Sequence, residues 1–119
     1  MEDSVKVFQY KGNVSLILGV EDDQILALGQ KLKAICPDAY MNGYNWDALL
    51  HHYLEKNAPD ILEGLDADPE AGMYEAHWPL TPENEEKAKR FQDILRSLIE
   101  NEEELCRIVR EEGDAIEWD

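Results

Sequence analysis

Residues 5–10 (Val-Lys-Val-Phe-Gln-Tyr) and 14–20 (Val-Ser-Leu-Ile-Leu-Gly-Val) are rich in β-forming side chains. Between them Lys11-Gly12-Asn13 tolerates positive φ, so the pair predicts a β-hairpin. Asp22 and Asp23 then offer N-caps to a helix whose Ile25, Leu28, Leu32 and Ile35 fall on one face. Gly29 weakens its middle and Pro37 ends it. Residues 40–46 are turn-rich. Asn45 is placed to cap a second helix, in which Trp46, Leu49, Leu50, Tyr53 and Leu54 recur at three and four residues. Residues 57–72, with Pro59, Gly64, Pro69 and Gly72, read as a long loop with one helical turn at Ile61-Leu62. A loop of that length in a small domain is either functional or packed by its own side chains.

Residues 73–78 predict a strand, closed by Pro79. Thr81-Pro82 is a strong helix start, with threonine as cap and proline in the first turn. That helix should run to about Glu100 and bury Ala88, Phe91, Leu95, Leu98 and Ile99. Asn101, with Glu104 three residues on, resembles a capping pair for a last helix through Glu112, which Gly113 stops. The tail 114–119 contains Ile116 and Trp118 and is apolar enough to dock as an edge strand. No internal repeat or low-complexity segment interrupts this order. The expectation is one α+β domain over 1–119: a small antiparallel sheet, made of the N-terminal hairpin plus the strand near 73–78, packed against about four helices.

Composition narrows the function. The 119 residues suit one domain, and 44% apolar content is too high for a disordered acidic tail. Eleven Lys and Arg against 27 Asp and Glu leave a formal charge of −16. Direct binding to nucleic-acid phosphates or to an anionic membrane is disfavoured, because both need a basic footprint. The longest mostly apolar stretch, 14–20, is far below the ~20 residues that span a bilayer. Met1-Glu2-Asp3-Ser4 lacks the basic start of a secretory signal. Cys36 and Cys106 stand in no metal-type spacing and read as buried, reduced thiols. The chain is expected to be soluble and cytoplasmic.

The acidity is unevenly spread. Residues 1–59 hold 8 acids and 5 bases (net −3), whereas 60–119 hold 19 acids and 6 bases (net −13). Glu83–Lys87, Glu85–Lys89 and Glu86–Arg90 are spaced four apart in the favourable order, so that helix should largely neutralise itself. The uncompensated acids form two groups. One is Asp60, Glu63, Asp66, Asp68 and Glu70. The other is Glu100, Glu102, Glu103 and Glu104, followed by Glu111, Glu112, Asp114, Glu117 and Asp119. They either keep a small protein soluble or steer a cationic protein into contact.

Catalytic patterns are weak. His51 and Glu55 share a helix face, and with His77 they make a metal site conceivable, but nothing brings the third ligand to the first two. Asp66-Ala67-Asp68-Pro69-Glu70 alternates carboxylates as a calcium loop does, yet Ala71 replaces the required glycine and His77 the closing carboxylate. There is no glycine-rich phosphate loop, no nucleophile elbow and no Cys/His pairing that suggests a nucleophile. Trp46, Trp78, Phe8 and Phe91 read as core. Trp118 reads as a packing anchor, with an interface role as the alternative.

Asn42-Gly43-Tyr44-Asn45-Trp46 before an apolar helix, Asp68-Pro69-Glu70-Ala71-Gly72-Met73 before a strand, and the final Ile116-Glu117-Trp118-Asp119 together resemble immunity protein family fifty-one. Members of this bacterial family are found beside polymorphic toxins. The resemblance covers most of the chain. It implies an α+β, non-enzymatic, cytoplasmic protein that needs no cofactor and protects its maker by blocking a cognate toxin. The family has no catalytic residues to transfer. Gly43 and Gly72 suit positions that need positive φ or close backbone approach.

The reading that results is an inhibitor of a basic, nuclease-type toxin domain, with the two acidic groups as contacts. Two alternatives stay open. One is an acidic regulatory or nucleic-acid-mimic protein without a toxin partner, and the other a small metal-dependent enzyme using His51, Glu55 and His77.

Overall fold

The computed structural model describes residues 4–118. Strands β1 (Val5–Tyr10) and β2 (Asn13–Gly19) form the expected hairpin, paired from Val5↔Leu18 to Tyr10↔Asn13. Its two-residue loop, Lys11 and Gly12, has positive φ at both positions (47° and 79°). That backbone matches the twist of the flanking strands. Helix α1 (Asp23–Ile35) follows, then α2 (Gly43–Asn57), the single turn α3 (Pro59–Leu62) and the two-residue strand β3 (Asp66–Ala67). Strand β4 (Met73–Pro79), helix α4 (Pro82–Glu100) and helix α5 (Glu102–Glu112) complete the order, with a 3₁₀ turn at Gly113–Ala115.

The sheet is antiparallel throughout in the order β1-β2-β4-β3, so the fold is α+β as expected. Side chains alternate across it. One face carries Val5, Leu16, Leu18, Tyr74, Ala76 and Trp78, all buried. Helix α4 lies over this face: Phe91 meets Tyr74 and Trp78 edge-on, with centroids at 6.2 and 6.4 Å. Trp46, Leu49, Leu50 and Leu54 of α2, and Leu105, Ile108 and Val109 of α5, join the same core.

Several expectations are corrected. Helix α2 begins three residues early, because its cap is Asn42, whose Oδ1 accepts from the Asn45 N–H at 2.9 Å. Asn45 is fully buried, and its own Oδ1 accepts from the Met41 N–H at 2.9 Å. That bond supports the turn in which Met41 holds φ 56°. The long loop contains β3, paired Asp66↔His77 and Ala67↔Ala76. The tail forms no strand among the described residues. Instead Gly113 continues in right-handed helical φ into the 3₁₀ turn, Ile116 is buried, and the Trp118 indole donates to the Gly113 carbonyl at 3.0 Å. Asp119 lies outside the described residues, as do Met1, Glu2 and Asp3.

Two apolar residues expected inside are at the surface: Ile35 ends α1 exposed, and Phe8 is 39% exposed. Phe8 pairs with Ser15, on the side of the sheet opposite Val5 and Val7. Cys36 and Cys106 are free thiols, each half-buried rather than buried. Gly43 and Gly72 serve close approach, and the glycines with positive φ are Gly12 and Gly64.

Candidate functional site

The first acidic group is tied to the scaffold. Asp60, in α3, accepts two bonds from Arg90 of α4, at 2.6 and 3.3 Å, and this guanidinium holds its carboxyl below the usual range. Glu63 lies 3.9 Å from the ammonium of buried Lys87, which also donates to the Glu63 carbonyl. Asp66, in β3, stands 3.4 Å from His77. Beyond it the chain turns tightly. The Glu70 N–H donates to the Met73 carbonyl at 2.7 Å, and the Gly43 N–H donates to the Ala71 carbonyl at 3.0 Å. A β-carbon at Gly43 would collide with the carbonyl oxygens of Glu70 and Met73, so glycine lets α2 press its first turn against this loop. Asp68 and Glu70 are exposed on a segment fixed by backbone bonds, with no ion pair among the described residues.

The second group sits where α4 passes into α5. Glu102 pairs with Lys31 of α1 at 2.7 Å, and Glu104 takes two bonds from Arg107, at 2.7 and 3.0 Å. Arg107 holds the Glu104 carboxyl below its ordinary value. Glu100 and Glu103 are exposed without ion pairs among the described residues. The two groups do not merge. Asp60 is bonded to Arg90, and Glu100 lies ten residues further along the same helix, about 15 Å at 1.5 Å per residue.

Pairing within the chain differs from the expected i,i+4 pattern. Of the three pairs expected on α4, Glu83–Lys87 alone closes among the described residues, at 3.9 Å. Glu85 accepts from Gln9, and Arg90 turns to Asp60. Glu112, expected to be uncompensated, takes bonds from Lys56 and His52 at 2.8 Å. They hold its carboxyl down to about 2.

A groove of about 550 Å³ runs between α2 and the tail, lined by Tyr44, Asp47, His51, His52, Glu55 and Glu117. Burial pushes the Asp47 carboxyl up, against the opposing pull of His51. The three- and four-residue spacing of Tyr44, Asp47, His51 and Glu55 was the sequence signal for this wall. His51 stands 3.8 Å from Glu55, while His77 sits on the sheet with Asp66. No group of three or more His, Cys, Asp or Glu among the described residues could hold a metal ion.

The acidic loop is thus held by backbone bonds against the start of α2. The family model described as Immunity protein 51 matches residues 5–114. The chain belongs to that family. An immunity function follows, and with it a cognate toxin as the partner of this immunity protein. Comparisons with curated proteins and with solved structures gave no match. No helix among the described residues is long and apolar enough to cross a membrane.

Proposed function

We propose that this immunity protein acts in the cytoplasm as a non-catalytic, stoichiometric inhibitor that covers the active cleft of a basic, nuclease-type toxin. Membership of the immunity family carries this reading. The excess of carboxylates supports the basic character of the partner, because cationic clefts that hold phosphates also attract carboxylates. The contact acids are Asp60, Glu63, Asp66, Asp68 and Glu70 at the α3–β3 margin, and Glu100, Glu102, Glu103 and Glu104 at the α4–α5 junction. Asp68, Glu70, Glu100 and Glu103, which have no ion pair among the described residues, are placed to bond toxin lysines and arginines.

The test is co-expression with the polypeptide encoded beside this chain's gene. Growth arrest by that polypeptide should be relieved, and a one-to-one complex should co-purify. Asp66→Asn, Asp68→Asn and Glu70→Gln combined should weaken protection while leaving the thermal midpoint unchanged. Full protection by a folded triple variant would remove that loop from the contact surface.

A further inference from the structure

The four-stranded sheet is packed by helices on one side. Its other face carries Lys6, Phe8 and Tyr10 from β1, Ser15 and Ile17 from β2, and Glu75 and His77 from β4, with Asp66 at the edge. The register sets them in cross-strand rows: Phe8–Ser15–His77–Asp66, and Lys6–Ile17–Glu75. None of the apolar side chains of this face, Phe8, Tyr10, Ile17 and Met73, belongs to the core cluster or packs against it. Phe8 is 39% and Tyr10 60% exposed. An open antiparallel face is ordinarily polar on the solvent side. Two exposed aromatics beside an isoleucine are the composition of an interface centre.

The charge around this centre is one-sided. Asp66, Asp68, Glu70 and Glu75 gather on the β3–β4 side, where the Asp68 N–H donates to the Glu75 carbonyl at 2.8 Å. Asp68, Glu70 and Glu75 have no ion pair among the described residues. At the α4–α5 junction Glu102 and Glu104 are held by Lys31 and Arg107 while Glu100 and Glu103 have no ion pair among the described residues, but no exposed aromatic stands in that segment. The open face therefore combines two exposed aromatics, with the Lys11 ammonium 5.3 Å from the Tyr10 ring, and carboxylates that have no ion pair among the described residues. A protein that presents apolar side chains flanked by lysines and arginines is complementary to it.

We propose that this open face is the surface on which the toxin docks, with Phe8, Tyr10 and Ile17 in the centre and Asp66, Asp68 and Glu75 pairing with cationic residues at the margin. The proposal rests on the immunity reading above and selects the first acidic group over the second.

The probe is the purified polypeptide encoded beside this chain's gene, with binding followed by biolayer interferometry and protection by growth. Phe8→Ser with Tyr10→Ser should weaken binding at least about 100-fold, mainly through faster dissociation. Asp68→Lys with Glu75→Lys should slow association about tenfold, and provides a second variant if the first fails to fold. Asp93→Lys, on the exposed side of α4, should leave both rates unchanged. Wild-type-like binding by folded open-face variants overturns the docking face while the immunity reading stands. If the wild type neither binds nor protects, both fall. A wild-type dimer that Phe8→Ser with Tyr10→Ser converts to monomer would make this face a self-interface and overturn the proposal.

Discussion

Glu112 is the most heavily engaged carboxylate among the described residues. One oxygen accepts from Lys56 and from His52, both at 2.8 Å, and the other lies 3.5 Å from Arg107. It thereby ties α2 to α5. Its carboxyl is held at about 2, below the ordinary 4.5. A depressed folded-state value means the stabilisation is complete above the unfolded value and is lost as pH falls through the folded one. Glu112→Gln should therefore cost about 1 kcal/mol at pH 7, the small figure reflecting partial exposure. The gap to the wild type should close between about pH 4.5 and pH 2. Denaturant melts across that range check this; a gap that persists at pH 2 would assign the effect to packing. Gly43 is a steric case. Its β-carbon has no room against the Glu70 and Met73 carbonyls, so Gly43→Ala should destabilise by about 3 kcal/mol or more. Gly12→Asn, at positive φ in open space, should cost well under 1 kcal/mol.

At the scale of elements, caps and pairing register explain what could and could not be read along the chain. Thr81 caps α4 through a bond to the Asn84 N–H at 3.0 Å, and Asn101 caps α5 through one to Glu104 at 3.4 Å. Both starts were legible because each cap residue came with a second start signal, proline directly after Thr81 and Glu104 three residues after Asn101. At α2 the apolar period that begins at Trp46 pointed to Asn45 directly before it, whereas the cap is Asn42, three residues earlier. The buried turn at Met41 decides, since it needs the Asn45 oxygen and leaves Asn42 to the helix. Asn42→Ala should accordingly cost about 1 kcal/mol, whereas Asn45→Ala should cost about 2 kcal/mol or more by orphaning the buried Met41 N–H. Chemical denaturation ranks the two, and an Asn42→Ala cost above that of Asn45→Ala would reverse the assignment. Strand β3 was illegible for another reason: two residues have no period, and only β4 beside them makes a strand.

At the scale of the whole molecule, the acidic segments were visible in composition but their separation was not, because Asp60 and Glu63 are brought to Arg90 and Lys87 only by folding. The exposed face was not read from the sequence: aromatic character placed Phe8 in the core, although strand alternation sets it opposite Val5 and Val7. Surplus charge and apolar centre act on different steps of binding. A chain of net charge −16 draws a cationic protein over distances comparable with the Debye length, about 30 Å at 0.01 M salt but about 8 Å at 0.15 M. Once partners touch, desolvated aromatics govern how long they stay. Raising sodium chloride from about 10 to 500 mM should thus slow association with the toxin at least about tenfold and change dissociation less than about threefold. The apolar centre makes the opposite prediction for Phe8→Ser with Tyr10→Ser, with dissociation accelerated at either salt. Stopped-flow association and surface dissociation kinetics separate the two effects. A salt-independent association rate would remove electrostatic steering while leaving the sheet face in place as the anchor.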